Sequence, residues 1–238
     1  MAPRSKSLGE AWEDNAAEWV SWARSPELDH AFWQLNLPTL IALLPPPVGA
    51  TLDVGCGEGR LARELKRLGY EVVGLENSPS LCAAARQADP GFEVVQADAA
   101  DMPLADDSFD LAIASLALMN MDEMGRSVIE ISRVLKAGGT FCFSILHPIN
   151  TWGDAGAVSY FDTVFYEERV ESDGEGMTFH DTHRPLSDYF AALEKAGFLV
   201  ERVREPMPDQ AYAASHGAAE RWQHRPGFLH IRAVLSRP

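Results

Sequence analysis

The chain has 238 residues, 46% hydrophobic and 23% charged, enough to bury one sizeable core as an α/β domain with additions. Its formal net charge of −15 and lack of any long basic run speak against a nucleic-acid partner, whose phosphates need clustered Lys and Arg. No apolar run reaches the roughly 18 residues of a membrane helix, residues 1–7 lack the apolar stretch of a secretory signal, and Cys56, Cys82 and Cys142 read as reduced thiols without metal-like spacing, so no membrane association and a cytoplasmic setting are expected.

Residues 8–44 carry a helical, Trp-rich pattern that ends at Pro45-Pro46-Pro47, and Trp12 and Trp19, seven apart, share one helical face. A short strand is predicted over 50–54. Gly55, Gly57 and Gly59 follow it directly, and a helix over 58–68 buries Leu61, Leu65 and Leu68 on one face. The next strand is 71–75, after which Ser78-Pro79 supplies a cap and first-turn proline for a helix over 79–88. A third strand, 92–97, ends at Asp98. After a loop over 103–108, the apolar run 109–115 reads as a central parallel strand. A helix over 122–135 is predicted to stop at Lys136-Ala137-Gly138-Gly139, ahead of a fifth strand over 140–146.

Beyond residue 147 the alternation breaks. Residues 148–185 show no sustained period and are expected to form a long lid or binding loop. A helix over 186–196 leads into a strand over 198–203; a second irregular stretch, 206–226, precedes a last strand over 227–235. Two strands in succession without a helical crossover predict antiparallel pairing at the sheet edge. No internal repeat or low-complexity tract appears, so the expected division is an N-terminal helical cap over 1–47 and one Rossmann-like domain over 48–238, carrying a lid insertion at about 148–185.

Strand, glycine turn and helix in that order let a nucleotide-bearing ligand approach the backbone closely, because glycine adopts positive φ and carries no Cβ. Glu76, seventeen residues after Gly59 at the end of the second strand, is placed to accept the two hydroxyl protons of a ribose. The dinucleotide pattern G-x-G-x-x-G is not met, since Arg60 stands where its third glycine falls. Asp53 and Glu58 flank the turn and would repel a pyrophosphate at the helix N-terminus. A ligand with a ribose, no phosphate and a cationic sulfonium and ammonium would meet no such repulsion.

The segment Asp53-x-Gly55-Cys56-Gly57-x-Gly59 resembles the first motif of the class I S-adenosylmethionine-dependent methyltransferases, and motif-level resemblance extends over roughly 50–147. That resemblance implies a doubly wound, mostly parallel seven-stranded α/β sheet with an antiparallel last strand. It also implies S-adenosylmethionine as cofactor, with S-adenosylhomocysteine as product and no metal. Gly55, Gly57 and Gly59 would form the turn beneath the methionine and ribose. Glu76 would hold the ribose hydroxyls, and Asp98 with the Ala99 N–H would hold the adenine edge. Ser115 and Leu116 would line the methionine end. Asp53 is either a ligand contact or a cap of the turn, and Asp98 also fits as a turn cap. Trp12 and Trp19 are candidates to cover the cofactor, where an aromatic face attracts a sulfonium; packing the helix on the sheet is the alternative.

Acceptor chemistry is less legible. His147, ending the fifth strand, is the candidate general base, since ligands of open α/β sheets sit beyond the carboxyl ends of the strands. His180, Asp181, His183 and Arg184 fall in the expected lid; the two histidines lack a third metal ligand and a helical setting. The expected activity is methyl transfer to an O or N nucleophile of a small molecule. A nucleotide-binding oxidoreductase and a non-catalytic cofactor-binding module are the alternatives.

Overall fold

The computed structural model describes residues 6–172 and 174–236. Its centre is a seven-stranded sheet of β1 (Ala50–Val54), β2 (Glu71–Glu76), β3 (Glu93–Gln96), β4 (Phe109–Ser115), β5 (Leu135–Leu146), β8 (Phe198–Arg204) and β9 (Phe228–Leu235), while β6 (Val164–Ser172) and β7 (Glu175–His183) form a separate two-stranded sheet. The order is β3-β2-β1-β4-β5-β9-β8. β9 runs antiparallel to both β5 and β8, between them, and the β1–β2, β1–β4, β2–β3 and β4–β5 pairs are parallel. The reversed last strand therefore lies one place in from the edge, which β8 occupies.

Strand alternation sorts the core into two layers. Leu52, Val54, Ala112, Ala114, Phe141 and Phe143 point to one side, where they meet Val128 and Ile131 of α6 (Met124–Val134) and Leu193 of α8 (Leu186–Lys195). Leu111, Ile113 and Cys142 point to the other and meet Leu61 and Leu65 of α4 (Arg60–Arg67) with Leu40 of α3 (Leu37–Ile41). α5 (Pro79–Ala88) starts as its Ser78-Pro79 signal predicts, with the Ser78 side chain accepting from the Leu81 N–H. Helices on both faces of a parallel sheet are what hydrophobic runs in the central strands require.

Four expectations are corrected. The 8–44 stretch is not one continuous pattern: α1 (Leu8–Asp14) and α2 (Ala16–Ala23) meet at a break at Asn15, and a π-helix over Phe32–Asn36 precedes α3. Asn15 leaves the helical register because its side-chain amide is used elsewhere, donating 3.0 Å to the Thr178 carbonyl. Second, Lys136 to Gly139 is not a helix stop. Leu135 is already extended (φ −78°, ψ 139°) and pairs with Phe109, and the glycines sit inside β5 beside a register shift between Phe109 and Leu111.

Third, 148–185 is not an irregular loop. It contains α7 (Pro148–Asp154) and the β6–β7 hairpin, whose pairing runs from Val164↔His183 to Ser172↔Glu175. Fourth, 206–226 contains α9 (Gln210–Ser215), N-capped by Asp209, and a 3-10 helix over Gly217–Gln223. The hairpin lies over the carboxyl ends of the parallel strands. Trp12 Nε1 donates to the His180 carbonyl at 3.1 Å, and Arg184 donates to the Met119 and Met121 carbonyls beyond β4 at 3.3 and 2.7 Å.

Candidate functional site

The β1–α4 turn is built by backbone conformation. Gly55, Gly57 and Gly59 have φ of +70°, +56° and +83°, a region that L side chains rarely enter. The Gly55 N–H donates 2.7 Å to the Leu75 carbonyl, and the Gly57 N–H donates 2.9 Å to the Glu76 carboxylate, whose other oxygen accepts from the Ser78 N–H at 2.9 Å. Glu76 thus joins the turn to the start of α5. Burial raises its pKa against those donated hydrogen bonds.

Asp53 is 1% exposed, and its Oδ2 accepts no hydrogen bond from any described residue. Burial first, and the Glu76 charge second, push its carboxyl up to about 7. Glu58 differs. Its buried carboxylate receives Arg24 at 2.7 Å and Arg63 at 2.6 Å, so its charge is matched, and the repulsion expected against a phosphate rests on Asp53 and Glu76 alone. Arg60, in the place of the third glycine, pairs with Asp29 at 2.6 Å. Its guanidinium lies 4.6 Å from the Trp19 ring centre and 3.5 Å from that of Phe32. That arginine latches the N-terminal helices onto the turn and takes the cation slot against Trp19 that a sulfonium was expected to use.

These residues open onto one cavity of about 400 Å³ at the carboxyl ends of the strands. Asp53, Gly55, Gly57 and Glu76 line one wall; Asp98 and Ala99, after β3, line the next. Asp98 Oδ1 accepts from the Ala100 N–H at 2.8 Å, so it does cap its turn while bordering the cavity. Ser115 and Leu116 form the floor at the end of β4, with the Ser115 hydroxyl accepting from Asn36 at 3.1 Å. Leu116 has φ +52°, a strained value for a non-glycine residue and of the kind that gathers at functional sites. Trp12 and Trp19 line the cavity as well, and with Trp22 they pack edge-on around Phe179 of β7, at ring distances of 6.5, 6.2 and 6.0 Å. Gly59, the N-cap of α4, does not reach the cavity.

His147 does not reach it either. Its Nδ1 accepts from the Ile149 N–H at 3.1 Å, capping α7, and its Nε2 lies 2.9 Å from Glu205. Both nitrogens are engaged away from the cavity wall. Burial lowers its pKa, opposed by Glu205. His180 and His183, three apart on β7, point to opposite faces. His180 meets Asn15 at 2.8 Å and Glu167 at 3.1 Å, whereas His183 meets Thr151 at 2.8 Å and the Tyr160 carbonyl at 3.0 Å. Among the described residues no group of three or more His, Cys, Asp or Glu is arranged to hold a metal ion.

The far wall was not legible in the sequence. Asn150 and Asp154 of α7, Glu168 and Asp181 of the hairpin, and Arg221 and Trp222 of the segment after α9 also line the cavity. The hairpin pleat explains why: Tyr166, Glu168 and Val170 share a face with their register partners Asp181, Phe179 and Met177. Asp173-Gly174 between β-prone runs was the available signal for that hairpin.

A buried carboxyl with a raised pKa has a defined stability signature. Below about pH 4 Asp53 is neutral in both folded and unfolded chains. Between about 4 and about 7 the unfolded chain ionises first, so stability falls as pH rises. Full ionisation costs roughly 4 kcal/mol. His30, His147 and His230, whose pKa values are lowered, act in the opposite direction. The difference between Asp53→Asn and the parent protein isolates the term: the variant is expected to gain relative stability as pH is raised from 4 to 7. Urea unfolding at several pH values measures this, and a pH-independent difference would show that Asp53 is ionised without penalty.

Comparison with known proteins agrees with this geometry. A methyltransferase domain family matches residues 52–143. An uncharacterized methyltransferase of Synechocystis is 34% identical over 176 residues, covering 73% of this chain and 76% of that protein. A malonyl-[acyl-carrier protein] O-methyltransferase of Pectobacterium atrosepticum is 32% identical over 108 residues, 45% of this chain, and the match spans 43% of that protein's length. The crystal structure of an S-adenosylmethionine-dependent methyltransferase from Mesorhizobium loti superposes with TM-score 0.66 at 30% identity, covering 86% of this chain and 97% of that one. Among the described residues no helix is long and apolar enough to cross a membrane. With a methyltransferase relative 34% identical over 73% of the chain, a solved S-adenosylmethionine-dependent methyltransferase superposing over 86% of it, and a seven-stranded sheet with a reversed last strand, the protein belongs to the class I S-adenosylmethionine-dependent methyltransferases.

Proposed function

We propose that the cavity holds S-adenosylmethionine in its turn-side half and a small-molecule acceptor in its hairpin-side half, with methyl transfer to an O or N nucleophile between them. The observation that carries this reading is the convergence of Asp53, Gly55, Gly57, Glu76, Asp98 and Leu116 on one cavity whose opposite wall comes from a different part of the chain. Glu76 would hold the ribose hydroxyls; Asp98 and the Ala99 N–H would hold the adenine edge. The unsatisfied Asp53 Oδ2 is the acceptor available to a cationic part of the ligand. Trp12 and Trp19, tied to Phe179, would enclose the site, and exclusion of water favours a reaction in which a cation is discharged. Methyl transfer to a good nucleophile depends chiefly on alignment. The family match ends at residue 143, so the acceptor half lies beyond it, and the acyl-carrier substrate in the relative's name is not carried over.

Calorimetry is expected to show binding of S-adenosylhomocysteine, tightening as pH rises through 7 because Asp53 must ionise to meet a cation. Preferential binding of NAD would overturn the reading. His147 is expected to be a helix cap rather than a base. His147→Ala should lower stability by about 0.5–2 kcal/mol, the range for losing an N-cap. Turnover should change by less than a factor of a few. A loss of roughly 10²-fold or more in turnover, the size expected of a general base, would restore it to the chemistry.

A further inference from the structure

We propose that the acceptor is a small cationic amine, received as an ammonium by Asp181, Glu168, Asp154 and the Asn150 carbonyl oxygen in the hairpin-side half of the cavity. The proposal rests on the two-half reading of the site given above and names its substrate class. Asp181 is 3% exposed and lines the cavity, and its side-chain carboxylate receives no hydrogen bond from any described residue. Asn150, also 3% exposed, donates its amide to Asp154 at 3.3 Å, and its Oδ1 has no donor among the described residues. Two buried acceptors from different elements are thus unmatched on one wall. A buried polar group without a partner costs free energy, and a buried charge costs more, unless a ligand completes it.

Every side chain in this set supplies acceptor atoms. Asp181 has its pKa pushed up to about 7 by burial and by Glu168, and Glu168 is in turn raised by burial and by Asp154, so the three carboxylates feel one another. They do not form a metal cluster among the described residues. An ammonium offers three donors and no acceptor, which is the complement of the Asp181, Glu168, Asp154 and Asn150 oxygens. A hydroxyl brings one donor and would leave the other acceptors unmatched. A carboxylate or phosphate would be repelled. Arg221 lines the same wall with its Nη1 3.5 Å from Asp154 and partly offsets that charge. Its Nε and the Trp222 Nε1 are two donors that no described residue accepts, open to a polar group elsewhere on the acceptor. Trp222, Phe179 and Phe228 supply apolar surface for the rest of the acceptor.

The chemistry balances without a further reactant. The ammonium gives one proton to the Asp181 carboxylate and becomes a neutral amine. The nitrogen lone pair forms the new N–C bond to the methyl carbon while the C–S bond breaks and its electron pair stays on sulfur. The sulfonium becomes a neutral thioether, and the positive charge passes to the methylated ammonium.

The test uses the full chain saturated with S-adenosylhomocysteine. Calorimetry measures binding of phenethylamine, benzylamine and hexylamine against 2-phenylethanol, benzyl alcohol and 1-hexanol as neutral partners and 3-phenylpropanoate as the anion. At least one amine is expected to bind about tenfold or more tightly than its alcohol, with no binding of the anion. Asp181→Asn should lose that margin while S-adenosylhomocysteine affinity is retained. Should that variant not fold, Glu168→Gln, at a less buried position, is expected to reduce the same margin. Equal binding of amines and alcohols, absence of amine binding, or an unaltered margin in a folded variant would overturn the proposal while leaving the methyltransferase reading intact. Failure of the parent chain to bind S-adenosylhomocysteine would instead strike the cofactor assignment beneath it, and the amine proposal would fall with it.

Discussion

Replacing Glu76 with alanine is expected to weaken S-adenosylhomocysteine binding roughly 10- to 100-fold. Hydrogen bonds to a charged group contribute about 1.5–3 kcal/mol, and a tenfold change in affinity is about 1.4 kcal/mol. The carboxylate has a second task, since it accepts from the Gly57 and Ser78 N–H groups at 2.9 Å each. Removing it leaves two donors of the cofactor wall without their acceptor, so a fall in thermal stability should accompany the loss of affinity. Glu76→Gln separates the two effects: one amide oxygen can still accept from a turn N–H, but the paired acceptor for a ribose is gone. Calorimetry with S-adenosylhomocysteine and a parallel thermal melt measure both. An unchanged dissociation constant for Glu76→Ala would mean that the ribose is held elsewhere.

Gly57→Val is expected to abolish measurable cofactor binding while the sheet still folds. Gly57 has φ +56°, where a β-branched residue is strained, and non-glycine residues held in such regions cost about 1–3 kcal/mol. A Cβ there would lie 3.1 Å from Trp19 Nε1, on the cavity wall, so the added methyl groups would enter the space proposed for the ligand. Gly55→Val is a different case. Its Cβ would come within 2.8 Å of the Ala117 Cβ, inside the packed floor, so this variant should lose folding stability as well. Circular dichroism melts beside calorimetry distinguish the two: native-like secondary structure without binding for Gly57→Val, and a lowered melting temperature for Gly55→Val. Parent-like affinity in Gly57→Val would place the ligand away from the turn.

The difference between these two glycines was not available from their spacing. In the sequence Gly55, Gly57 and Gly59 are equivalent members of one triplet. In the fold Gly55 packs against Ala117, Gly57 faces the ligand space under Trp19, and Gly59 turns the chain into α4 outside the cavity. His147 shows the same limit. Its place at the end of β5 was correctly read, but strand position alone does not say where an imidazole points. Here the following Pro148 opens a helix, and the ring turns back to cap it.

The turn-side part of the cavity was legible in the amino-acid sequence. Strand, turn and helix there are contiguous in the chain, so local patterning was sufficient for Asp53, Gly57 and Glu76, while Asp98 and Leu116 followed from the family resemblance; all five line the cavity. The hairpin-side part emerged only from the tertiary fold. Its wall draws on α7 and the β6–β7 hairpin and, some forty residues later, on the segment after α9, and the hairpin is tied down by Trp12, Asn15 and Arg184. The hairpin escaped the period-two test for a physical reason. Its inward face carries Glu168 and Asp181 where a structural strand would carry apolar residues, so the charges that line the cavity are the same ones that erased the alternation by which a strand is recognised.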